Sequence, residues 1–382
     1  MTARTVVPDT PADGDTRPRW TWQWLLLLAL MLAVLETVSR VEDRIANGIP
    51  FGSRVISPND LVWLHPGGAR GRPGARYQQW ALNSLGFRGP ELSTVPAPGT
   101  ARVVVVGASE TFGLYESRGR EYPRQLEDSL RARAASGCAA HATGVEVANA
   151  ALPGMATPSM VRLLDQVVRK VRPDVVVLYP SPGFYLNAYP PRASVGPSGA
   201  DSTLPARNTL TPRVVNRATR QIKALVPEPV KALARRIVVG RRNRDAGAPR
   251  FTGVPADRIA QFESDLREAV GVARSIRVPV LLMVHANATM EPGFSNAGLL
   301  ESWVYQFPRA TAETLVRFHQ RAGDLERRIA RDSGIVIVDL PSALHGHWRS
   351  AFADFVHFTD HGSAVVASAL ADAVWPLVNC RP

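Results

Sequence analysis

The sequence has little cysteine and little lysine, and both shortages narrow the classes of protein it can belong to. Its two cysteines, Cys138 and Cys380, are too few for a disulfide scaffold and lack the spacing of a metal site. They can form one bridge outside the cytoplasm or stay separate thiols. The basic residues are nearly all arginine, with no zinc-finger spacing, RNP motif or Lys-rich tail. The net charge of +12 therefore indicates only non-specific attraction to anions, and we expect no nucleic-acid partner.

The short motifs of nucleotide and zinc chemistry are also missing. The sequence contains no Walker loop, no G-x-G-x-x-G turn and no H-E-x-x-H pair. Three histidines, His285 in HANATM and His345 and His347 in HGHW, have no acidic neighbours arranged as metal ligands. We therefore expect neither a bound metal nor a cofactor.

One long apolar run, WTWQWLLLLALMLAVLETVSR, lies near the N-terminus. Residues 20–35 include only two polar side chains, Thr21 and Gln23, and three tryptophans stand at the start, as at a membrane interface. About 20 apolar residues span a bilayer as a helix, and no small-residue cleavage site follows. We predict that residues 20–38 are a retained transmembrane signal anchor rather than a cleaved signal peptide. Residues 1–19 are predicted to be a disordered tail.

Strand patterns alternate with amphipathic helix patterns over the rest of the chain. This alternation predicts a mostly parallel sheet covered on both faces, in a three-layer, flavodoxin-like α/β domain over residues 101–382. Residues 39–100 are dense in Gly and Pro and are predicted to be an irregular arm. The predicted strands are RVVVVG, VEVANAA, PDVVVLYP, VPVLLMV and GIVIVDL, and the predicted helices are EYPRQLEDSLRARAA, TPSMVRLLDQVVRKV, DRIAQFESDLREAVGVARSI, AETLVRFHQRAGDLERRIARDS and GSAVVASALADAVWPLV.

A long insertion, residues 188–254, interrupts the alternation after the third predicted strand. Within it, residues 207–244 carry eleven Arg and Lys residues against one acid, Glu228. Such a segment can be a basic amphipathic helix that lies on anionic lipid near the anchor. A groove for an anionic polymer and a solvated helical lid fit the same composition.

A serine stands directly behind the first predicted strand, in VVVVGASETFG. Ser109 follows the strand, and Gly107 and Gly113 flank the turn. At this place in an α/β sheet the next helix offers backbone N–H groups to an anion. A serine there can attack an acyl carbon while its own N–H binds the oxyanion. A serine that only caps a helix fits the same pattern.

A carboxylate and a histidine lie three residues apart near the end of the chain, in ADFVHFTDHGSAVV. Asp354 and His357 precede the last predicted helix. This spacing lets the carboxylate accept from one imidazole nitrogen while the other nitrogen faces a nucleophile. Loops after the first and last strands of a parallel sheet can meet at one edge, so His357 is a candidate base for Ser109. Asp360 and His361 are the rival assignment.

The order of these residues resembles the SGNH/GDSL hydrolases. Gly154, in the turn after the second predicted strand, completes the resemblance, although an ordinary turn glycine fits there too. NSLGFRGPE, ahead of the first strand, resembles the lead-in of bacterial membrane-anchored members. The resemblance covers about residues 80–378 and implies an esterase or acyltransferase fold with a shallow, exposed site. The implied roles are Ser109 as nucleophile and first oxyanion donor, Gly154 as second donor, His357 as general base and Asp354 as its orienter.

Two positions depart from the family's pattern. The family usually has Asp before the serine, where this chain has Ala108. It also has a G-x-N-D turn after the third strand, whose Asn is a third oxyanion donor. This chain reads LYPSPGFYLNAYP, with Gly183 at the aligned position and Asn187 as the nearest candidate. Since loss of one donor costs about 10²–10³ in rate, Asn187 or a backbone group replaces it, or the activity is slow or specialised.

These features predict a serine esterase that removes O-acyl groups from a cell-envelope or exported polysaccharide through an acyl-enzyme. An O-acyltransferase forms the same acyl-enzyme but passes the acyl group to a sugar hydroxyl. A non-catalytic binding or assembly protein with the same fold is the third alternative, and the altered third block favours it. The expected partners are an acylated saccharide or other ester and the membrane. We expect a single pass through the bacterial inner membrane, with the domain outside the cytoplasm.

Overall fold

Nine strands occur in the part of the chain that the computed structural model describes, namely residues 21–55, 57–65, 68–135, 144–187, 218, 222, 225–245, 250–291 and 293–379. Four of them precede residue 100, and the other five begin at Thr100 or later. In chain order they are β1 (Val62–His65), β2 (Gly68–Gly71), β3 (Arg76–Tyr77), β4 (Trp80–Ala81), β5 (Thr100–Gly107), β6 (Gly144–Asn149), β7 (Val175–Tyr179), β8 (Val280–Val284) and β9 (Val336–Asp339).

The described residues also form eleven α-helices, most of which lie between or after the strands from β5 onward. They are α1 (Thr21–Asn47), α2 (Ser109–Phe112), α3 (Tyr122–Arg133), α4 (Thr157–Gln166), α5 (Glu228–Asp245), α6 (Ala256–Ser275), α7 (Ala297–Gln306), α8 (Ala312–Ser333), α9 (Leu340–Ala343), α10 (Trp348–Ala351) and α11 (Asp360–Asn379).

The five strands from β5 onward form one parallel sheet in the order β6-β5-β7-β8-β9. Successive valines of β5 face opposite layers. Val104 and Val106 enter a core shared with α4, α6 and α8, while Val103 and Val105 enter a core shared with α3 and α11. The flavodoxin-like, three-layer fold predicted from the sequence is therefore confirmed. Because the chain reverses direction across the sheet between β5 and β7, a ligand crevice is expected at the carboxyl ends of these two strands.

The end of β5 is fixed by close packing. A Cβ atom at Gly107 would lie 2.0 Å from Thr111 Oγ1, so only glycine lets the chain turn into α2 at this point. Gly113 ends α2 in the left-handed conformation, with φ of 84°, which glycine adopts without strain. Ser109, the first residue of α2, is thereby held at the carboxyl edge of the sheet.

The N-terminal helix is long and apolar enough to cross a membrane, over Trp22–Asn47, with a mean hydropathy of 1.9 and little burial. It can be a membrane anchor or a signal sequence. Its C-terminal end contacts the domain, where Arg118 donates hydrogen bonds to the carbonyl of Ala46 and to Asn47 Oδ1. The apolar helix α11 passes the same test of length and composition, but it packs into the domain core.

The segment predicted to be an irregular arm contains two short hairpins, β1–β2 and β3–β4. The backbones of Gly71 and Gly86 are in close contact there. A Cβ atom at Gly71 would lie 1.9 Å from the Gly86 carbonyl oxygen, so a side chain would not fit. Helix α5 is the main described part of the predicted insertion. Residues 188–217, Cys138 and Cys380 lie outside the described residues.

Candidate active site

A cavity of about 400 Å³ opens at the carboxyl edge of the sheet, beyond β5 and β7. Four of the five site residues predicted from the sequence line it, namely Ser109, Gly154, Asp354 and His357. Asn187 is not among the described lining residues. The loop after β5 and the loop before α11 thus bring the serine and the histidine to one cavity from opposite ends of the chain.

The Asp354–His357 pair is held by its own short loop. His357 Nδ1 lies 2.7 Å from Asp354 Oδ2. Asp354 Oδ1 accepts backbone hydrogen bonds from Val356 at 2.9 Å and from His357 at 2.8 Å. All of these contacts span two or three residues, so the carboxylate orients the ring without help from a distant strand. His357 Nε2 is buried and has no hydrogen-bond partner among the described residues, which leaves it available to a group in the cavity.

The two pKa values of this pair shift in opposite directions. Burial alone would lower the pKa of His357, but the hydrogen bond and charge of Asp354 outweigh burial and raise it above 6.5. The negative charges of Glu110 and Glu116 add to this increase. Burial would likewise raise the pKa of Asp354, but its bond to His357 and the two backbone donors lower it. Such a pair stabilises an imidazolium, as a general base requires.

The Ser109 hydroxyl has a partner that the sequence reasoning missed. Its Oγ lies 3.2 Å from Glu110 Oε2, and Glu110 is buried. The other carboxylate oxygen accepts a hydrogen bond from Ser181 at 3.0 Å and lies 3.3 Å from His285 Nε2. Burial would raise the pKa of Glu110, but the hydrogen bond and charge of His285, together with the charge of His357, lower it to about 2.

Glu110 therefore places a negative charge beside the serine. In this arrangement the Ser109 hydroxyl donates to Glu110 rather than to His357. The sequence carried a signal for this residue, since Glu110 is an acidic residue between a run of valines and the apolar Phe112. A carboxylate in so apolar a stretch is expected to have buried partners.

Tyr115 covers one side of the imidazole. Its ring centroid lies 5.1 Å from that of His357. Partial burial raises the pKa of Tyr115, and the charge and hydrogen bond of Asp354 raise it further. Gly154 faces the cavity from the turn after β6, with φ of 77° and no atom within 4 Å of a hypothetical Cβ. The space beside its α-carbon is therefore open.

The third block differs most from the family's pattern. Gly183 lies in a 3₁₀-helix, Pro182–Leu186, and lines the cavity, while Asn187 stands at the end of that helix. A Cβ atom at Gly183 would lie 2.8 Å from Phe307 Cζ and 3.3 Å from His319 Nε2. The space that an Asn side chain would need is therefore occupied by these two rings. Both come from distant elements, so no local motif pointed to them.

The rival pair lies elsewhere. His361 Nε2 is 3.2 Å from His347 Nδ1, and neither ring lines the cavity. Asp360 accepts a hydrogen bond from the Ser117 backbone N–H at 2.7 Å. Within the described ranges, no group of three or more His, Cys, Asp or Glu side chains is placed to hold a metal ion.

No family model and no curated protein matches the chain. Among solved structures it is similar to an α/β hydrolase from the metagenome of Lake Arreo, Spain, at 17% identity and a TM-score of 0.42, covering 74% of this chain and 98% of that one. It is also similar to Axe2, an acetylxylan esterase from Geobacillus stearothermophilus, at 13% identity, a TM-score of 0.42 and coverage of 72% and 94%. A lipase/acylhydrolase from Enterococcus faecalis gives 14% identity, a TM-score of 0.40 and coverage of 72% and 95%. At these TM-scores the similarities carry no argument about activity, which must come from the chain's own residues.

Proposed function

We propose that the protein is a serine esterase of the SGNH/GDSL type. One observation carries the proposal: Ser109 and the Asp354–His357 pair line the same cavity at the carboxyl edge of the sheet. The free, buried Nε2 of His357 supports its role as the base, because the opposite ring nitrogen is already held by Asp354. Three groups with the roles of nucleophile, base and orienter therefore converge where a ligand is expected.

The first half of the reaction forms an acyl-enzyme. The Ser109 hydroxyl turns from Glu110 to His357 Nε2, and its oxygen attacks the carbonyl carbon of the ester while the proton moves to Nε2. The carbonyl electrons move to the oxygen, where the backbone N–H groups of Ser109 and Gly154 bind the oxyanion. Asp354 stabilises the imidazolium that has formed. The bond to the leaving alcohol then breaks, and His357 returns its proton to that alcohol.

The second half releases the acid. A water molecule gives a proton to His357 Nε2 and attacks the acyl carbon, and the same N–H groups bind the new oxyanion. The Ser109–acyl bond breaks, and Ser109 regains its proton from the imidazolium. The enzyme returns to its starting state with one ester hydrolysed.

The substrate we propose is an O-acyl group on a cell-envelope or exported polysaccharide. The cavity lining favours a saccharide substrate. Tyr115 and Tyr305 offer aromatic faces on which a sugar ring can pack, and Gln306 offers an amide that can bind a hydroxyl. If a sugar hydroxyl replaces water in the second half, the same residues perform acyl transfer. Product analysis with and without a saccharide acceptor separates the two reactions.

The test is hydrolysis of p-nitrophenyl acetate by the wild-type chain and by Ser109→Ala. We expect the substitution to lower the rate at least about 10⁴-fold, because it removes the proposed nucleophile. Ser129→Ala is the matched control, since that serine lies on α3 and donates only to the Gln125 carbonyl. Equal rates for wild type and Ser109→Ala would contradict the proposal and favour a binding or assembly protein.

We also propose that α1 anchors the protein in a bacterial inner membrane, with the domain outside the cytoplasm. The apolar side chains of α1 are largely exposed, with Leu25 at 65% and Leu30 at 60%, which supports contact with lipid. Carbonate extraction of membranes should leave the full chain in the pellet. Protease added to spheroplasts should reach the domain, and protection of the domain would contradict the orientation.

Helix α5 offers a second contact with lipid. Val230, Leu233 and Ile237 are exposed by 54%, 61% and 61% and follow one another at helical spacing on one face. The helix also carries many basic residues, so it suits an anionic bilayer surface. Replacing Leu233 and Ile237 with serine should make α5 more sensitive to protease in anionic vesicles but not in detergent. No difference in vesicles would contradict the contact.

A further inference from the structure

The family's third oxyanion donor has no counterpart in this cavity at the expected residues. Gly183 has no side chain, and Asn187 does not line the cavity among the described residues. Ser181 lines it, but its hydroxyl already donates to Glu110 Oε1 at 3.0 Å. If the proposed function holds, the oxyanion depends on two backbone N–H groups unless another side chain assists them.

His319 stands where the missing side chain would point. Its Nε2 lies 3.3 Å from the position of a Cβ atom at Gly183, and its ring lines the same cavity as Ser109. Helix α8 supplies this residue from its buried face. The ring is fixed on its other sides by Trp303, with centroids 4.9 Å apart, and by His285, with centroids 5.0 Å apart. The position of His319 Nε2 is therefore well defined.

The ring nitrogens of His319 have no partner in the described part of the chain. Both Nδ1 and Nε2 are buried and unpaired, and the residue is only 3% exposed. A buried imidazole keeps one N–H donor and one acceptor, and leaving both unsatisfied is costly. Since the ring borders the cavity, an oxygen atom of a molecule in the cavity can accept a hydrogen bond from it.

The electrostatic surroundings keep this imidazole neutral. Burial lowers the pKa of His319 well below 6.5, and the nearby His285 lowers it further, although Glu110 opposes them. A neutral imidazole can donate one hydrogen bond without competing with His357 for the serine proton. Neutral histidines can act in this way as electrophiles toward a carbonyl oxygen.

We infer that His319, through its Nε2–H, is the third oxyanion donor of this site and replaces the amide that the family places at the position of Gly183. The inference rests on the proposed function. As Ser109 Oγ bonds to the acyl carbon, the carbonyl oxygen gains charge and accepts three hydrogen bonds, from the N–H groups of Ser109 and Gly154 and from His319 Nε2. His319 keeps its proton throughout, and His357 alone transfers protons.

The test compares His319→Leu with His319→Gln in the full chain, using p-nitrophenyl acetate. Leucine fills the space without a donor, so kcat should fall about 10²–10³-fold while KM changes little. Glutamine places an amide N–H close to the position of Nε2, so its kcat should stay within about tenfold of wild type. Thermal unfolding of both variants checks that each is folded.

The possible outcomes separate this inference from the proposed function. If the wild-type chain showed no Ser109-dependent turnover, both the proposed esterase activity and the proposed role of His319 would be contradicted. An active wild type whose His319→Leu variant keeps full kcat would overturn the inference alone. So would a raised KM with unchanged kcat, which marks ground-state binding, or a folded His319→Gln variant that is as slow as the leucine variant.

Discussion

The two sides of the cavity are built in different ways. On one side, the hydrogen bonds that the Asp354 carboxylate makes with the backbone N–H groups of Val356 and His357 and with the imidazole span at most three residues. On the other side, Gly183, Phe307 and His319 meet from three elements that are far apart in the chain. On the first side, the orientation of the ring by the carboxylate is a local motif. The second side exists only when α7 and α8 are packed on the sheet.

This difference fits the observation that one half of the site resembles the SGNH/GDSL pattern and the other half does not. The Asp354–His357 contact is made by residues three apart, so it depends little on packing between distant elements. A side assembled by packing can exchange one residue for another when the replacement fills the same space. Where the SGNH/GDSL hydrolases have an Asn, this chain has Gly183, and the rings of Phe307 and His319 occupy the adjacent space.

The largest effect is expected on the local side. Asp354→Asn replaces the charged acceptor with an amide, which favours the wrong tautomer of His357 and no longer stabilises its charged form. We expect kcat to fall by roughly 10⁴. Asp360→Asn is the matched control, because Asp360, the first residue of α11, accepts a hydrogen bond from the Ser117 backbone N–H and does not line the cavity. If the two variants were equally active, the local motif would have no part in catalysis.

At Gly183, the packed side should respond in stability rather than in rate. Gly183→Asn introduces the residue that the SGNH/GDSL hydrolases have there, but its Cβ would lie 2.8 Å from Phe307 Cζ. We expect the overpacking to lower the free energy of unfolding by about 1–3 kcal/mol, measured by urea denaturation, with no gain in kcat. Adding Phe307→Ala should make the cost of the Asn smaller than in the single variant. A Gly183→Asn chain as stable as wild type would show that the space is free.

The pH profile of the activity tests the charges around His357. His357 must be neutral to act as a base, and its pKa is raised, so kcat/KM should rise with pH through an apparent pKa above 6.5. The Glu110 charge contributes to that increase. Glu110→Gln removes the charge, which destabilises the imidazolium and should move the acid limb of the profile to lower pH. An acid limb that moves to higher pH would contradict the proximity of Glu110 and His357.

Much of the fold could be predicted from local patterns. The apolar stripe of α8 predicts a helix over residues 312–333, the bounds that the structure has. The helix predicted over residues 157–171 ends as α4 at Gln166, and a 3₁₀-helix, Val168–Val171, follows it. Helix α7 had no expectation, because its sequence AGLLESWVYQ shows no clear amphipathic period.

In the candidate site, some residues could be predicted from local sequence patterns, and others could not. Ser109, Gly154, Asp354 and His357 could be selected because their types and spacing carry chemistry, and the parallel sheet implied that their loops can meet. Glu110 and His319 could not be assigned partners, because their contacts depend on which distant side chains face them. The sequence assignments of the catalytic roles stay predictions until they are measured.

The most direct measurement is the labelling of the full chain with a fluorophosphonate, followed by mass spectrometry of the intact protein and its peptides. This reagent bonds to a serine oxygen that a base has activated, so it reports Ser109 and His357 together. We predict one adduct, on Ser109, no adduct at that site in Ser109→Ala, and labelling of His357→Ala slowed by at least about 10³. An adduct on another residue, or equal labelling rates for wild type and His357→Ala, would contradict the account.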